Sequence, residues 1–230
     1  MPSCARKYQL ADSLVYHVFN RSNGRVFIFN SEEDFQHLRQ LLRGYNSKFN
    51  AKIYHWVIMQ NHFHLLLEME YPERLSRMMA GFARAYTHYY HGKFKTAGYL
   101  WQGRFKAQAV QKDEYMIACG RYIERNPVKA GIVKQAHEYP HSSAQFYCLG
   151  VDDGITSEDP VYIEYGRDKT EREAKYGEFL NDFDVEQKEQ FDEMEKPVGC
   201  LEFLRRLVQV NGRLVSRRRG KPGNINCVTY

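Results

Sequence analysis

The chain has 230 residues, enough for one core domain with a smaller appendage. It is 43% hydrophobic and 27% charged, a soluble globular composition, and has no run of about 18 apolar positions to span a membrane. The net charge of +5 conceals a division: residues 1–150 hold 20 Lys/Arg against 11 Asp/Glu, whereas residues 151–230 hold 13 against 17. The cationic first part suits a nucleic-acid partner, although charge alone suits an ordinary basic surface equally well.

Leu14 to Asn20 is β-branched and aromatic and reads as a strand. Ser31 follows as an N-cap with Asp34 three positions on, and Phe35, Leu38, Leu41 and Leu42 recur at helical spacing. Lys52 to Met59 and His62 to Met69 read as strands joined by a tight turn at Gln60-Asn61, a hairpin with histidines at its mouth. Pro72 starts a second helix through Leu75, Met78, Met79, Phe82 and Tyr86. Arg104 to Gln111 is a fourth strand, and Asp113 caps a third helix that Pro127 should stop, because the residue before a proline is pushed out of the helical region. The order β-α-β-β-α-β-α predicts an α+β layer fold with an antiparallel sheet and helices on one face.

The character changes near residue 150, so residues 1–150 are expected to form one domain and 151–230 a mainly helical C-terminal extension. Val151 to Gly154 reads as a linker or turn, residues 182–195 are acidic, and Gly199 to Val210 suits a short amphipathic helix. Residues 205–221 carry seven basic residues and no acids, and Gly220 to Tyr230 is expected to be disordered. The start of the chain, Met1 to Lys7, lacks a secretory apolar stretch. Its five cysteines, Cys4, Cys119, Cys148, Cys200 and Cys227, are scattered without a C-x-x-C pair. A reducing cytoplasm is the simplest expectation.

Three features carry chemistry together. In His62-Phe63-His64, strand residues i and i+2 share a face, so the two imidazoles can chelate one divalent ion while Phe63 faces the core. Alone, such a pair is more simply two hydrogen-bonded surface histidines. Tyr122 and Asn126 stand four apart on one helical stripe, offering a nucleophilic hydroxyl and an amide oxygen as third metal ligand. Their bland alternative is a packed tyrosine and a helix-terminal asparagine. An aromatic and basic belt follows, with Tyr86, Tyr89, Tyr90, Phe94, Tyr99, Trp101 and Phe105 interleaved with Lys93, Lys95, Arg104 and Lys106. Unpaired bases stack on such rings while cations follow the backbone, although several of the rings also suit the core.

Read together, these residues resemble a known family. Met59-Gln60-Asn61-His62-Phe63-His64-Leu65-Leu66-Leu67 resembles the His-hydrophobe-His (HUH) motif of single-tyrosine transposases. Tyr122-Ile123-Glu124-Arg125-Asn126-Pro127-Val128-Lys129-Ala130-Gly131 resembles their catalytic-tyrosine segment, and Leu100-Trp101-Gln102-Gly103-Arg104-Phe105 resembles a third block. Over roughly residues 8–150 the order and spacing are most similar to the REP-associated tyrosine transposases. One departure is Gln60, where the family often has proline, which should alter the turn but not the ligands.

The resemblance implies a ferredoxin-like sheet with the two histidines on a central strand. It implies Tyr122 as catalytic nucleophile and His62, His64 and Asn126 as ligands of Mg²⁺ or Mn²⁺. The expected reaction is cleavage and strand transfer of single-stranded or hairpin DNA through a 5′-phosphotyrosine, in transposition or the processing of REP-type palindromes. A tyrosine hydroxyl ordinarily ionises only near about pH 10, so its proton must leave during attack. The expected setting is the cytoplasm, associated with the nucleoid when on DNA, as monomer or homodimer. Lys93, Lys95, Trp101, Arg104 and Lys106 are the expected DNA contacts in the belt. Arg217, Arg218 and Arg219 join them as a degraded AT-hook or a solvated basic tail. The acidic stretch 182–195 is a candidate shield for that tail or the DNA channel. Three rival readings stand beside this one: a non-catalytic nucleic-acid-binding protein that retains the fold, a metal-dependent hydrolase with a structural Tyr122, and a relaxase, whose chains are generally larger.

Overall fold

The computed structural model describes residues 14–182, 191 and 196–211. Four strands form one antiparallel sheet: β1 (Val15–Arg21), β2 (Ala51–Met59), β3 (His62–Met69) and β4 (Lys106–Val110), in the order β2-β3-β1-β4. With α1 (Glu32–Phe49) after β1 and α2 (Leu75–Phe94) after β3, this is the expected ferredoxin-like arrangement. The two-residue turn read at Gln60-Asn61 is present.

Strand alternation sorts the side chains. Tyr16, Val18, Trp56, Ile58, Phe63, Leu65 and Leu67 face α1 and α2, which supply Phe35, Leu38, Leu42, Met78, Met79 and Phe82. Asp34, fully buried at the start of α1, accepts from the Ser31 backbone N–H at 3.0 Å, as a capping box requires. It also accepts from the Lys93 ammonium at 2.7 Å and the Tyr89 hydroxyl at 2.9 Å, fastening the start of α1 to the end of α2.

A second cover lies on the opposite face, beyond the sequence expectation. There α3 (Glu114–Glu124) sets Met116, Cys119, Tyr122 and Ile123 against Val15, Val57, Met59 and Leu66. Asp113 caps it by accepting from the Tyr115 backbone N–H at 3.0 Å. Pro127 does not end the helical path: the chain kinks at Arg125 and resumes as α4 (Asn126–Lys129), with the proline in its first turn, where no N–H is needed. The sheet edges are covered too. Residues 141–143 and 156–157 bond along β2, and Val198 bonds along β4.

The segment after residue 150 packs against this body. Val151–Gly154 is a turn in which Asp153 accepts from the Ile155 and Thr156 backbone N–H groups and from the Trp56 indole. Helices α5 (Ala144–Leu149) and α6 (Lys169–Asn181) then form a tyrosine-rich cluster with Tyr147, Tyr162 and Tyr176. The carbonyls that end α6 are met by Arg121 and Arg125 from the α3 side. The expected amphipathic helix is present as α7 (Leu201–Asn211). Most of the acidic stretch 182–195 and all of Gly220–Tyr230 lie outside the described residues. No helix among the described residues is long and apolar enough to cross a membrane.

A fully buried ionic clamp ties these layers together. A bulge at Tyr54 turns both Tyr54 and His55 toward α3. His55 bonds Glu124 of α3 at 2.8 Å and Asp159 at 3.0 Å, and Glu124 also accepts from Ser143 at 2.6 Å and Tyr176 at 2.9 Å. Gly120 permits the approach, since a Cβ there would lie 2.6 Å from His55 ring atoms. Burial alone pulls the His55 pKa down, but Glu124 and Asp159 override it and hold it up at about 9. A folded pKa above the ordinary 6.5 stabilises fully below the unfolded value and is lost as pH rises through about 9. The urea midpoint should therefore fall between pH 7 and pH 9.5, and a flat profile would remove the buried imidazolium. At pH 7, His55→Leu strands two buried carboxylates and should cost about 3–5 kcal/mol.

Candidate active site

On the α3 face of the sheet, register brings together residues far apart in sequence. Phe19 lies opposite His64 and Arg21 opposite His62 across β1 and β3, while His17 lies opposite Gln108 across β1 and β4. A cleft of about 770 Å³ opens beside them. Its walls include Asn20, Arg21, His62 and His64 from the sheet, and Tyr122, Asn126 and Lys129 from α3 and α4. The four residues expected to carry the chemistry thus share one cleft. Phe63 is fully buried on the other face, as its place between the histidines requires.

The imidazole rings of His62 and His64 have centroids 5.3 Å apart. Burial, then the nearby charges of Arg21 and Lys129, push the His62 pKa down to about 4. Burial also holds that of His64 well below the ordinary value, helped by His17, His62, Arg21 and Lys129. Both rings are therefore neutral at pH 7 and can donate a lone pair to a metal without first losing a proton. Each is held through Nδ1: His62 at 2.6 Å from Asn61 Oδ1, and His64 at 2.8 Å from Nε2 of His17.

Tyr122 stands edge-on to the ring of His64, with centroids 5.9 Å apart, and to that of His17 at 5.7 Å. It is only 8% exposed, and Phe191 packs 5.5 Å from its ring. The Lys129 ammonium lies 5.8 Å from the same ring. Asn126 unites the two roles weighed for it. Pro127 has no N–H for the carbonyl of Ile123 four residues back. The Asn126 amide nitrogen instead donates to the carbonyls of Ile123 and Tyr122, both at 3.0 Å. Its Oδ1 is then the end of the carboxamide left to offer a cation.

Among the described residues no cluster of three His, Cys, Asp or Glu could hold a metal. The donor set that fits one is mixed: two neutral imidazoles and one amide oxygen, all bordering the cleft. Four basic residues, Arg21, Arg104, Lys106 and Lys129, line the cleft without an acid among the described lining residues. Of the expected DNA contacts, Arg104 and Lys106 are thus on the cleft. Lys93 is instead held by Asp34 and Glu33 at 2.7 Å each, away from the cleft. Lys95 is exposed past the end of α2. Trp101 is half-buried on Phe63 and Tyr86, donating to the Ala83 carbonyl at 3.0 Å. Arg217, Arg218 and Arg219 lie outside the described residues. Arg21, Lys129, His17, Asn61 and Gln108 were missed in the sequence. The alternation of β1, which puts His17, Phe19 and Arg21 on one face, was a usable signal for the first and third.

Comparison with known proteins bears on the family and the fold. The family described as "Transposase IS200 like" matches residues 11–126. Among solved structures, the fold is similar to a REP-associated tyrosine transposase bound to a REP hairpin. That match has a TM-score of 0.54 and 21% identity, and covers 69% of this chain and 93% of the other. No curated protein sequence matches the chain.

The Asn126 geometry makes a specific demand. Asn126→Asp keeps an oxygen toward the cleft but removes the donor to two helix carbonyls and sets a charge against them. It should lower folding stability by about 1–3 kcal/mol in urea unfolding. An unchanged midpoint would mean that the amide nitrogen does not cap the helix.

Proposed function

Since the chain belongs to the IS200-like transposase family, we propose that it cleaves and rejoins single-stranded DNA through a covalent bond to Tyr122. The observation that carries this reading is the meeting of Tyr122 with His62, His64 and Asn126 on one basic cleft. A divalent cation bound by His62, His64 and Asn126, Mn²⁺ or Mg²⁺, would offset phosphate charge and orient the phosphate for in-line attack.

The remaining work falls to the chain itself. Arg21, Arg104, Lys106 and Lys129 draw the sugar-phosphate backbone into the cleft. Tyr122 Oη attacks phosphorus and gives up its proton, the bond to the 3′ oxygen breaks, and that oxygen takes a proton. The product is a 5′-phosphotyrosine and a free 3′-OH. A 3′-OH from another strand then attacks the phosphotyrosine and restores Tyr122, so one phosphodiester is exchanged for another without ATP. Lys129, beside the Tyr122 ring, and Arg21, whose guanidinium feels the Tyr122 charge, favour the phenolate that develops. The substrate proposed is single-stranded DNA flanking a hairpin, met in the cytoplasm, by a monomer or a homodimer.

A second reading, a nucleic-acid-binding module without chemistry, draws on one observation: Tyr122 is largely covered, with Phe191 against its ring. One experiment separates the two. Incubated with Mn²⁺ and single-stranded DNA from the flanks of its own gene, the wild type should give a covalent complex on a denaturing gel. Tyr122→Phe should give none while binding the same DNA with similar affinity. Adduct formation by Tyr122→Phe at the wild-type rate would sink the assignment, and no adduct from the wild type would favour the binding module.

A further inference from the structure

The two candidate ligand histidines are each the last member of a hydrogen-bonded chain that begins at a backbone carbonyl. A carbonyl can only accept, so it sets the direction of every bond that follows. At one end is the Lys196 carbonyl, 2.6 Å from the Gln108 amide nitrogen. That contact fixes Gln108 Oε1 as the atom facing His17 Nδ1, at 3.3 Å. His17 Nδ1 therefore donates, and in a ring carrying one proton Nε2 is then the acceptor. His64 Nδ1, 2.8 Å away, must then donate to it. The only lone pair His64 has left is on Nε2.

The second chain repeats the logic with other residues. The Arg25 carbonyl accepts from the Asn61 amide nitrogen at 2.9 Å. Asn61 Oδ1 therefore faces His62 Nδ1, at 2.6 Å, and the proton sits on that nitrogen. Again Nε2 keeps its lone pair.

We infer that His17 with Gln108, and Asn61 separately, are positioning residues that lock His64 and His62 as Nδ1–H tautomers, so that both Nε2 lone pairs are presented to one divalent cation. The inference rests on the metal-binding reading above. It gives a role to two residues outside the motif, on β1 and β4, and to the segment beginning at Lys196. That segment lies along β4, where the Val198 N–H donates to the Ala109 carbonyl at 2.8 Å and its carbonyl accepts from Gln111 at 2.9 Å. The orientation of a metal ligand is thus set in part by backbone pairing at the sheet edge. Such outer partners typically change metal affinity by about 10–100-fold when removed.

The test uses full-length protein and two variants that act on different ligands. Long-range ¹H–¹⁵N spectra of the metal-free protein report which imidazole nitrogen carries the proton. In the wild type, His62 and His64 should both be Nδ1–H. His17→Phe, which keeps ring volume, should leave His64 a mixture while His62 is unchanged. Asn61→Ala should do the reverse. Calorimetric titration with Mn²⁺ alone should then show an affinity loss of about 10–100-fold in each variant. His64 carrying its proton on Nε2 in the wild type would overturn the inference. So would wild-type Mn²⁺ affinity in both variants. A wild type that binds no Mn²⁺ would sink the metal reading itself, while the spectra still decide whether the tautomers are locked as stated.

Discussion

The position of α3 on the sheet depends on one buried contact, the bond between His55 and Glu124. Glu124 is two residues from Tyr122 on the same helix, so fixing one fixes the other. His55 reaches the helix because β2 bulges at Tyr54 and because Gly120 leaves room for the imidazole. Asp159 grips the other side of the ring, and Tyr147 stacks on it with centroids 4.6 Å apart. Sheet, helix and the segment after residue 150 therefore converge on one side chain. Apolar burial alone would hold α3 against the sheet but tolerate small slides along it. A fully buried charged pair does not, because any slide leaves a buried charge uncompensated.

That clamp is why the part after residue 150 bears on the position of α3. Asp159 and Tyr176 from that part, with Ser143 from just before it, complete the hydrogen bonds of His55 and Glu124, and without them a buried imidazole nitrogen and the Glu124 carboxylate would lose partners in the interior. Arg121 and Arg125, from the same stretch as Tyr122, end on carbonyls at the close of α6. The helix bearing Tyr122 is thus braced on its far side by residues that contribute nothing to the cleft.

Much of this was legible in the sequence, for local reasons. Strand alternation, the Ser31 and Asp113 caps and the Gln60-Asn61 turn are written in neighbouring residues, and so is the His62/His64 face. What escaped depends on pairing between distant strands. His17 looks like one more residue of an apolar strand until β1 is placed between β3 and β4. Lys93 reads as an unpartnered cation in the sequence because Asp34 lies 59 residues earlier and only the α1–α2 packing joins them. The proline rule misjudged residue 126 because it considers backbone alone. The Asn126 side chain supplies the hydrogen bond that Pro127 cannot, and the helical path continues through α4.

Histidine is used in two opposite ways on the same face of the sheet. His55, between two carboxylates, is held as a cation at neutral pH. His62 and His64, buried near Arg21 and Lys129, are held neutral. The difference lies wholly in the neighbours' sign, and at the cleft that sign serves two ends. The positive field that would draw a phosphate chain toward the cleft under the proposed function also disfavours protonated imidazoles. A ligand set of two neutral rings and an amide would leave a bound divalent ion its full charge for the phosphate. Carboxylate ligands would grip the ion more strongly and neutralise it, and they would repel the DNA. Under the proposed function, burial and that positive field together keep the cleft histidines neutral, and the absence of acids among the described cleft residues leaves the field to the phosphate.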